Sequence, residues 1–208
     1  MIQIVNDYIP YSKDKRPNIK MTPKYIVIHS TGNDNSYARG ERGWLVNPTN
    51  KRIASWHLCI DENTCICAIP LNEVAWHCGS NHNFDSIGIE ICHSGNRQKV
   101  IARAIELTKQ LMKQYNIPVE NVIRHYDCTK KLCPSILSAN NWKAWNEFKS
   151  QLSSFEELGQ RSNKNPCYTK AIDKLVEKGI ISIPTLWKND KFTQDNVHSL
   201  IIKIANKL

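Results

Sequence analysis

Three residues far apart in the chain have the donor types that hold a divalent ion. His29 ends the apolar run Tyr25-Ile-Val-Ile-His-Ser-Thr31, His125 ends a second run from Val122, and Cys133 follows eight residues later, before Pro134. Two imidazoles and one thiolate suit zinc, and a catalytic zinc keeps its fourth position for water. Spacing alone leaves a second reading open, because a histidine at a strand end is also at home as a hydrogen-bonded structural residue. Glu90 stands between Ile89 and Ile91 in the run Ser86–Cys92. A carboxylate buried there unpaired costs several kcal/mol, about 2–7 for even a neutral polar group, so its side of the strand must open onto something polar.

The elements that position these residues are legible as alternating strands and helices, an order that gives an α/β fold with sites beyond strand ends. Strands are expected at 25–31, 55–61, 65–69, 86–92 and 122–125, with Glu62-Asn63-Thr64 closing a hairpin. Residues 98–115 have a helical period: Val100, Ala104, Leu107 and Leu111 form one row, and Asn116-Ile-Pro118 stops it. Further helices are expected at 36–47, weakened by Gly40 and Gly43, and at 141–153, where Trp142, Trp145, Phe148 and Leu152 recur. The loop YDCTKKLCPS joins His125 to Cys133. The expectation is a central mixed β-sheet flanked by helices, with a small all-helical C-terminal module.

Domain boundaries follow from composition. Residues 1–155 form the main domain, the polar stretch 156–166 ending in Pro166 reads as a linker, and 167–208 form the helical module. In that module Cys167–Lys178 is amphipathic with Gly179 at its C-cap, and Val197, Leu200, Ile201, Ile204 and Leu208 are expected to face inward. Some 45 residues rarely sustain a core without metal, disulfide or partner surface.

Composition excludes several classes. The 208 residues are 41% hydrophobic and 23% charged with eight glycines and nine prolines, which rules out a collagenous or low-complexity chain. No apolar stretch approaches the roughly 18–20 residues that cross a bilayer, so no membrane partner is expected. The N-terminal residues lack a basic region followed by an apolar one, so no export signal is expected and synthesis in the cytoplasm is. The net charge of +9 is spread along the chain, +6 over residues 1–150 and +3 over 151–208. Diffuse positive charge suits an anionic polymer or merely solubilises. A nucleic-acid partner is not expected, since neither a basic stripe nor a finger-like CxxC pair is present. Most of the eight cysteines fall in strand-like runs and read as reduced core residues, with Cys65 and Cys67 pointing to one face.

His29 with the following Thr-Gly-Asn, together with SWHLCID, AWHCGS, SIGIEIC and HYDCTKKLCP, resembles the zinc-dependent N-acetylmuramoyl-L-alanine amidases of phage endolysins, autolysins and peptidoglycan recognition proteins. The blocks occur in the family order over about residues 20–150. The resemblance implies zinc on His29, His125 and Cys133, catalysis by Glu90 and Lys131, and substrate contacts from His57 and His77. It implies cleavage of the bond between N-acetylmuramic acid and L-alanine in bacterial peptidoglycan, by an enzyme that reaches the wall after release from the cytoplasm. The rival is a non-catalytic peptidoglycan-recognition module; in that branch the zinc cysteine is lost, whereas Cys133 is present. Asp127 either orients His125 or caps its loop. Trp44, Trp56 and Trp76 either stack on sugars or fill core, with core expected for at least two. His82 and His93 match no family motif and read as surface residues. The tail resembles a short helical module appended to clostridial-type wall hydrolases, for binding wall polymer, self-association into a homo-oligomer, or bracing.

Overall fold

The computed structural model describes the backbone of residues 1–164, 166–184, 187 and 194–206, and the side chains of all of these except 154–169, 194 and 195. Two compact units are present, Met1–Leu152 and Ser153–Leu208.

The first unit is built on a six-stranded sheet. Its strands are β1 (Val5–Asn6), β2 (Tyr25–Ser30), β3 (Leu58–Ile60), β4 (Cys65–Cys67), β5 (Ser86–Ile91) and β6 (Val122–Arg124), in the spatial order β1-β4-β3-β5-β2-β6. Only the β3–β4 hairpin is antiparallel; the other four pairings are parallel. The mixed sheet flanked by helices is therefore as the sequence pattern led one to expect. Parallel strands covered on both faces need apolar side chains on both; β2 has them from Tyr25 to Ile28, whereas β5 is apolar on one face through Ile87, Ile89 and Ile91 and carries Ser86, Gly88 and Glu90 on the other.

The two faces differ in what covers them. On one, Ile26 and Ile28 of β2, Ile87, Ile89 and Ile91 of β5, and Leu58 and Ile60 of β3 pack against two helices. These are α2 (Arg97–Tyr115), through Val100, Ala104, Leu107 and Leu111, and α4 (Ala139–Lys164), through Trp145, Phe148 and Leu152. Asn96 caps the start of α2 by accepting the Lys99 N–H at 3.0 Å, and Asn116, left-handed at φ 54°, ends it. On the opposite face the short helix α1 (Ala38–Leu45) packs Ala38 and Leu45 near Trp56, Cys59, Ile66 and Cys92. An eight-residue helix leaves part of that face uncovered, and there the sheet opens to a cleft. Six of the seven described cysteines are buried, and Cys65 and Cys67 enter the same core.

The second unit contains α5 (Pro166–Glu177) and α6 (Gln194–Ala205) around a small core of Ile172, Ile181 and Trp187, joined by Leu175, Val176, Val197 and Leu200. Ile201 was expected inside and is 58% exposed; Leu208 lies outside the described residues. The stretch expected as a linker is backbone helix as far as Lys164. Its Glu, Gln, Arg and Lys residues are good helix formers, and that propensity outweighs its polarity. No described helix is long and apolar enough to cross a membrane.

Candidate metal centre and its cleft

Three adjacent parallel strands, β5, β2 and β6, present Glu90, His29 and His125 at their carboxyl ends. His29 and Glu90 are direct cross-strand partners, so the register of β2 against β5 fixes them side by side on one face. His125 opens α3 (His125–Thr129), a five-residue helix where the sequence suggested a loop. Asp127 sets its start by accepting the Arg124 backbone N–H at 2.8 Å and its guanidinium at 2.6 and 3.0 Å. Of the two roles left open for Asp127, the structure gives it the capping one. The loop after α3 folds back through Tyr126 N–H to the Cys133 carbonyl at 2.9 Å and Cys133 N–H to the Lys131 carbonyl at 2.7 Å. That return carries Cys133 to the histidines.

His29 Nδ1 lies 3.0 Å from His125 Nδ1 and 3.9 Å from Cys133 Sγ, and the three donor atoms all lie within 4.8 Å of one another. A tetrahedral ion with M–N of about 2.0–2.1 Å and M–S of about 2.3 Å sets its ligands roughly 3.3–3.6 Å apart, so one centre serves all three. All three residues are buried. Burial holds His29 well below the usual imidazole range, helped by His77, His125 and Lys131. Burial and then Lys131 lower His125 to about 4. Both rings are thus uncharged at neutral pH and free to offer a lone pair. Burial and the Glu90 charge push the Cys133 thiol up to about 12, against a backbone hydrogen bond at Ser30 and the Lys131 charge. Its thiolate therefore calls for a cation beside it, and the donor set fits a borderline-soft divalent ion.

Glu90 is half-buried, and its Oε2 is the buried side-chain oxygen or nitrogen that lacks a hydrogen-bond partner among the described residues. Desolvation raises its carboxyl to about 8, Glu41 adds to the rise, and Lys131 opposes it. A carboxyl poised near neutrality is suited to give and take protons. Lys131 is exposed on the cleft wall, and its charge bears on His29, His125, Cys133 and Glu90 alike. The cleft has a volume of about 750 Å³, and Trp44, Arg52 and Glu41 line it beside these groups.

The two histidines expected to touch substrate part company. His77 lines the cleft with one ring nitrogen 3.0 Å from His29 Nε2. His57 is wholly buried away from the cleft lining: its Nε2 donates to the Glu73 carbonyl at 2.7 Å and its Nδ1 accepts the Gly88 N–H at 2.9 Å. Burial, then His77, lowers it to about 3, so its placement gives a structural bracket rather than a substrate contact. Of Trp44, Trp56 and Trp76, where core was expected for at least two, Trp56 alone is core; Trp44 is 41% exposed at the cleft, and Trp76 is half-buried with its indole N–H on the Lys13 carbonyl. His93 was expected at the surface, yet its Nδ1 lies 3.2 Å from Asp34 and its Nε2 3.4 Å from Ser135 Oγ. Ser135 in turn meets Ser30 Oγ at 3.2 Å, so His93 helps hold the Cys133 loop to the end of β2. The signal available was its place just past the carboxyl end of a buried parallel strand.

Fold and site together define a mixed α/β domain with a His-His-Cys donor set beside a desolvated carboxyl. The chain belongs to the N-acetylmuramoyl-L-alanine amidase family (Amidase_2), whose profile matches residues 19–136. The amidase CwlH of Bacillus subtilis (strain 168) is 35% identical over 162 residues, 74% of this chain and 62% of CwlH. XlyA of the same organism is 37% identical over 157 residues, 72% of this chain and 51% of XlyA. The chain thus spans about half to three-fifths of the length of these relatives. The solved catalytic domain of XlyA superposes with a TM-score of 0.66 at 36% identity, covering 73% of this chain and 99% of that domain. PlyL gives a TM-score of 0.64 at 34% identity, over 73% of this chain and 97% of PlyL.

Proposed function

We propose that residues 1–155 hydrolyse the amide between N-acetylmuramic acid and L-alanine in peptidoglycan, as an endolysin or autolysin, with zinc held by His29, His125 and Cys133. The observation that carries this reading is the convergence of those three donors beside Glu90 within the stretch matched by the family. When bound, zinc supplies Lewis acidity, polarising a carbonyl and acidifying water. Glu90 takes the proton of the attacking water and returns it to the leaving nitrogen of L-alanine. The Lys131 ammonium faces the oxyanion formed at the scissile carbon, a role worth about 3 kcal/mol per well-placed donor. The cleft wall at Trp44 offers an exposed aromatic face to the glycan or stem. The net charge of +9 draws the enzyme to anionic wall polymers, and the C-terminal module adds wall binding or self-association. Release from the cytoplasm brings it to its substrate.

Mass spectrometry of digested peptidoglycan tests the chemistry. The expected products are stem peptides with new free L-alanine amino termini, absent with Cys133→Ser or Glu90→Ala. Cleaved glycan or interpeptide bonds, or products that persist in both variants, would refute it; wall binding without products would mark a recognition module instead.

A further inference from the structure

A chain of buried hydrogen bonds runs from the first putting-together of the donor cluster to a backbone carbonyl, and its proton order can be read from the far end. The carbonyl of His82 can only accept, and the Ser86 hydroxyl donates to it. That uses the one hydroxyl proton, so Ser86 Oγ must accept from His77 Nε2, 3.2 Å away. With its proton on Nε2, the His77 ring offers a lone pair at Nδ1, 3.0 Å from His29 Nε2. His29 Nε2 must then carry the His29 proton, which leaves Nδ1 bare and pointing at His125 Nδ1 and Cys133 Sγ. Ser86 and His29 are fully buried and His77 nearly so, so no bulk water competes for these bonds.

The backbone leaves room for this arrangement at one place. A Cβ on Gly88 would stand 2.7 Å from His77 Cγ and 2.8 Å from its Nδ1, so the ring lies flat against a strand position that carries no side chain. Two further bonds hold the segment: the His77 and Cys78 N–H groups both donate to Asn83 Oδ1, at 3.0 and 2.9 Å.

We propose that Ser86 and His77 are positioning residues that fix the tautomer of His29, so that the fold itself presents a bare Nδ1 to the metal. This rests on the metal-centre reading above and changes the role of His77, whose ring nitrogens serve the ligand rather than the substrate. Partners of this kind orient ligand imidazoles, and their loss typically costs about 10–100-fold in metal affinity.

Long-range proton–nitrogen NMR of the full chain, with ring-labelled histidine and with or without zinc, tests the proton order directly. The expected spectrum shows His77 and His29 both protonated at Nε2 in either state; His77 protonated at Nδ1 would overturn the proposal. In chelator competition with zinc, Ser86→Ala and His77→Phe should each bind about 10–100-fold more weakly while KM at saturating zinc stays unchanged. Zinc affinity within twofold of the parent, or a raised KM at unchanged zinc affinity, would overturn it. Should His77→Phe fail to fold, Ser86→Ala and the spectrum of the parent protein still decide. The spectrum and the chelator competition need no turnover, so an inactive protein with this proton order would sink the amidase reading and leave the relay standing.

Discussion

Glu90 ties the chemistry to stability through one proton. Its carboxyl sits at about 8 in the folded chain against 4.5 for the free group, so the folded state binds that proton more tightly. The stabilisation is complete below about pH 4.5 and is lost as pH rises through about 8, with a span of order 3–5 kcal/mol. Glu41, Lys131, Cys133 and Cys59 are the ionisable neighbours that share its surroundings. In the presence of chelator, the parent protein should therefore lose Tm between pH 5 and 9, whereas Glu90→Gln, inactive, should hold it. Parallel melting curves for the two would show that the carboxyl is solvated. At this scale the sequence was legible where a reactive type ends an apolar run, as His29 and His125 do, or interrupts one, as Glu90 does. It was illegible at His57, because the partners of that ring are a carbonyl at Glu73 and an amide at Gly88, and only tertiary approach brings them within reach.

Among the elements, strand β2 could be read from its apolar run Tyr25–Ile28, β5 from its alternating isoleucines, and α2 from its period and its Asn-Ile-Pro stop. The helix α3 could not, since five residues hold too little period to recognise and its start depends on the Asp127–Arg124 contacts. Because His125 is the first residue of α3, Asp127→Ala should cost about 1 kcal/mol of stability. It should also weaken zinc binding; chemical denaturation and chelator titration would report the two effects separately. On β5, Gly88→Ala should force the His77 ring aside without disturbing strand pairing. The expected result is a native far-ultraviolet spectrum with weakened zinc affinity, and a full-strength site in that variant would contradict the packing described here.

For the molecule as a whole, the family match ends at residue 136 and the first compact unit at Leu152. The polar residues after 155 continue as helix as far as Lys164, a continuation hidden in the sequence because charge along a surface helix looks like charge along a linker. A chain ending after Lys164 should keep one zinc per molecule and cleave a small soluble muramoyl peptide as the full chain does, measured by metal analysis and product formation. Salt provides a second check on the positive surface. Raising ionic strength towards 1 M shortens the Debye length to about 3 Å, so turnover on intact walls should fall while turnover of the soluble peptide changes little. The pairing of His29 with Glu90 couples the reactive groups to the packing beneath them. If β5 slipped a single residue along β2, Glu90 would swing beneath α2 into hydrocarbon and Ile89 would surface in its stead. Assembling the reactive groups and sealing the oily interior are thus a single event, and a stably folded copy with misaligned machinery is energetically forbidden.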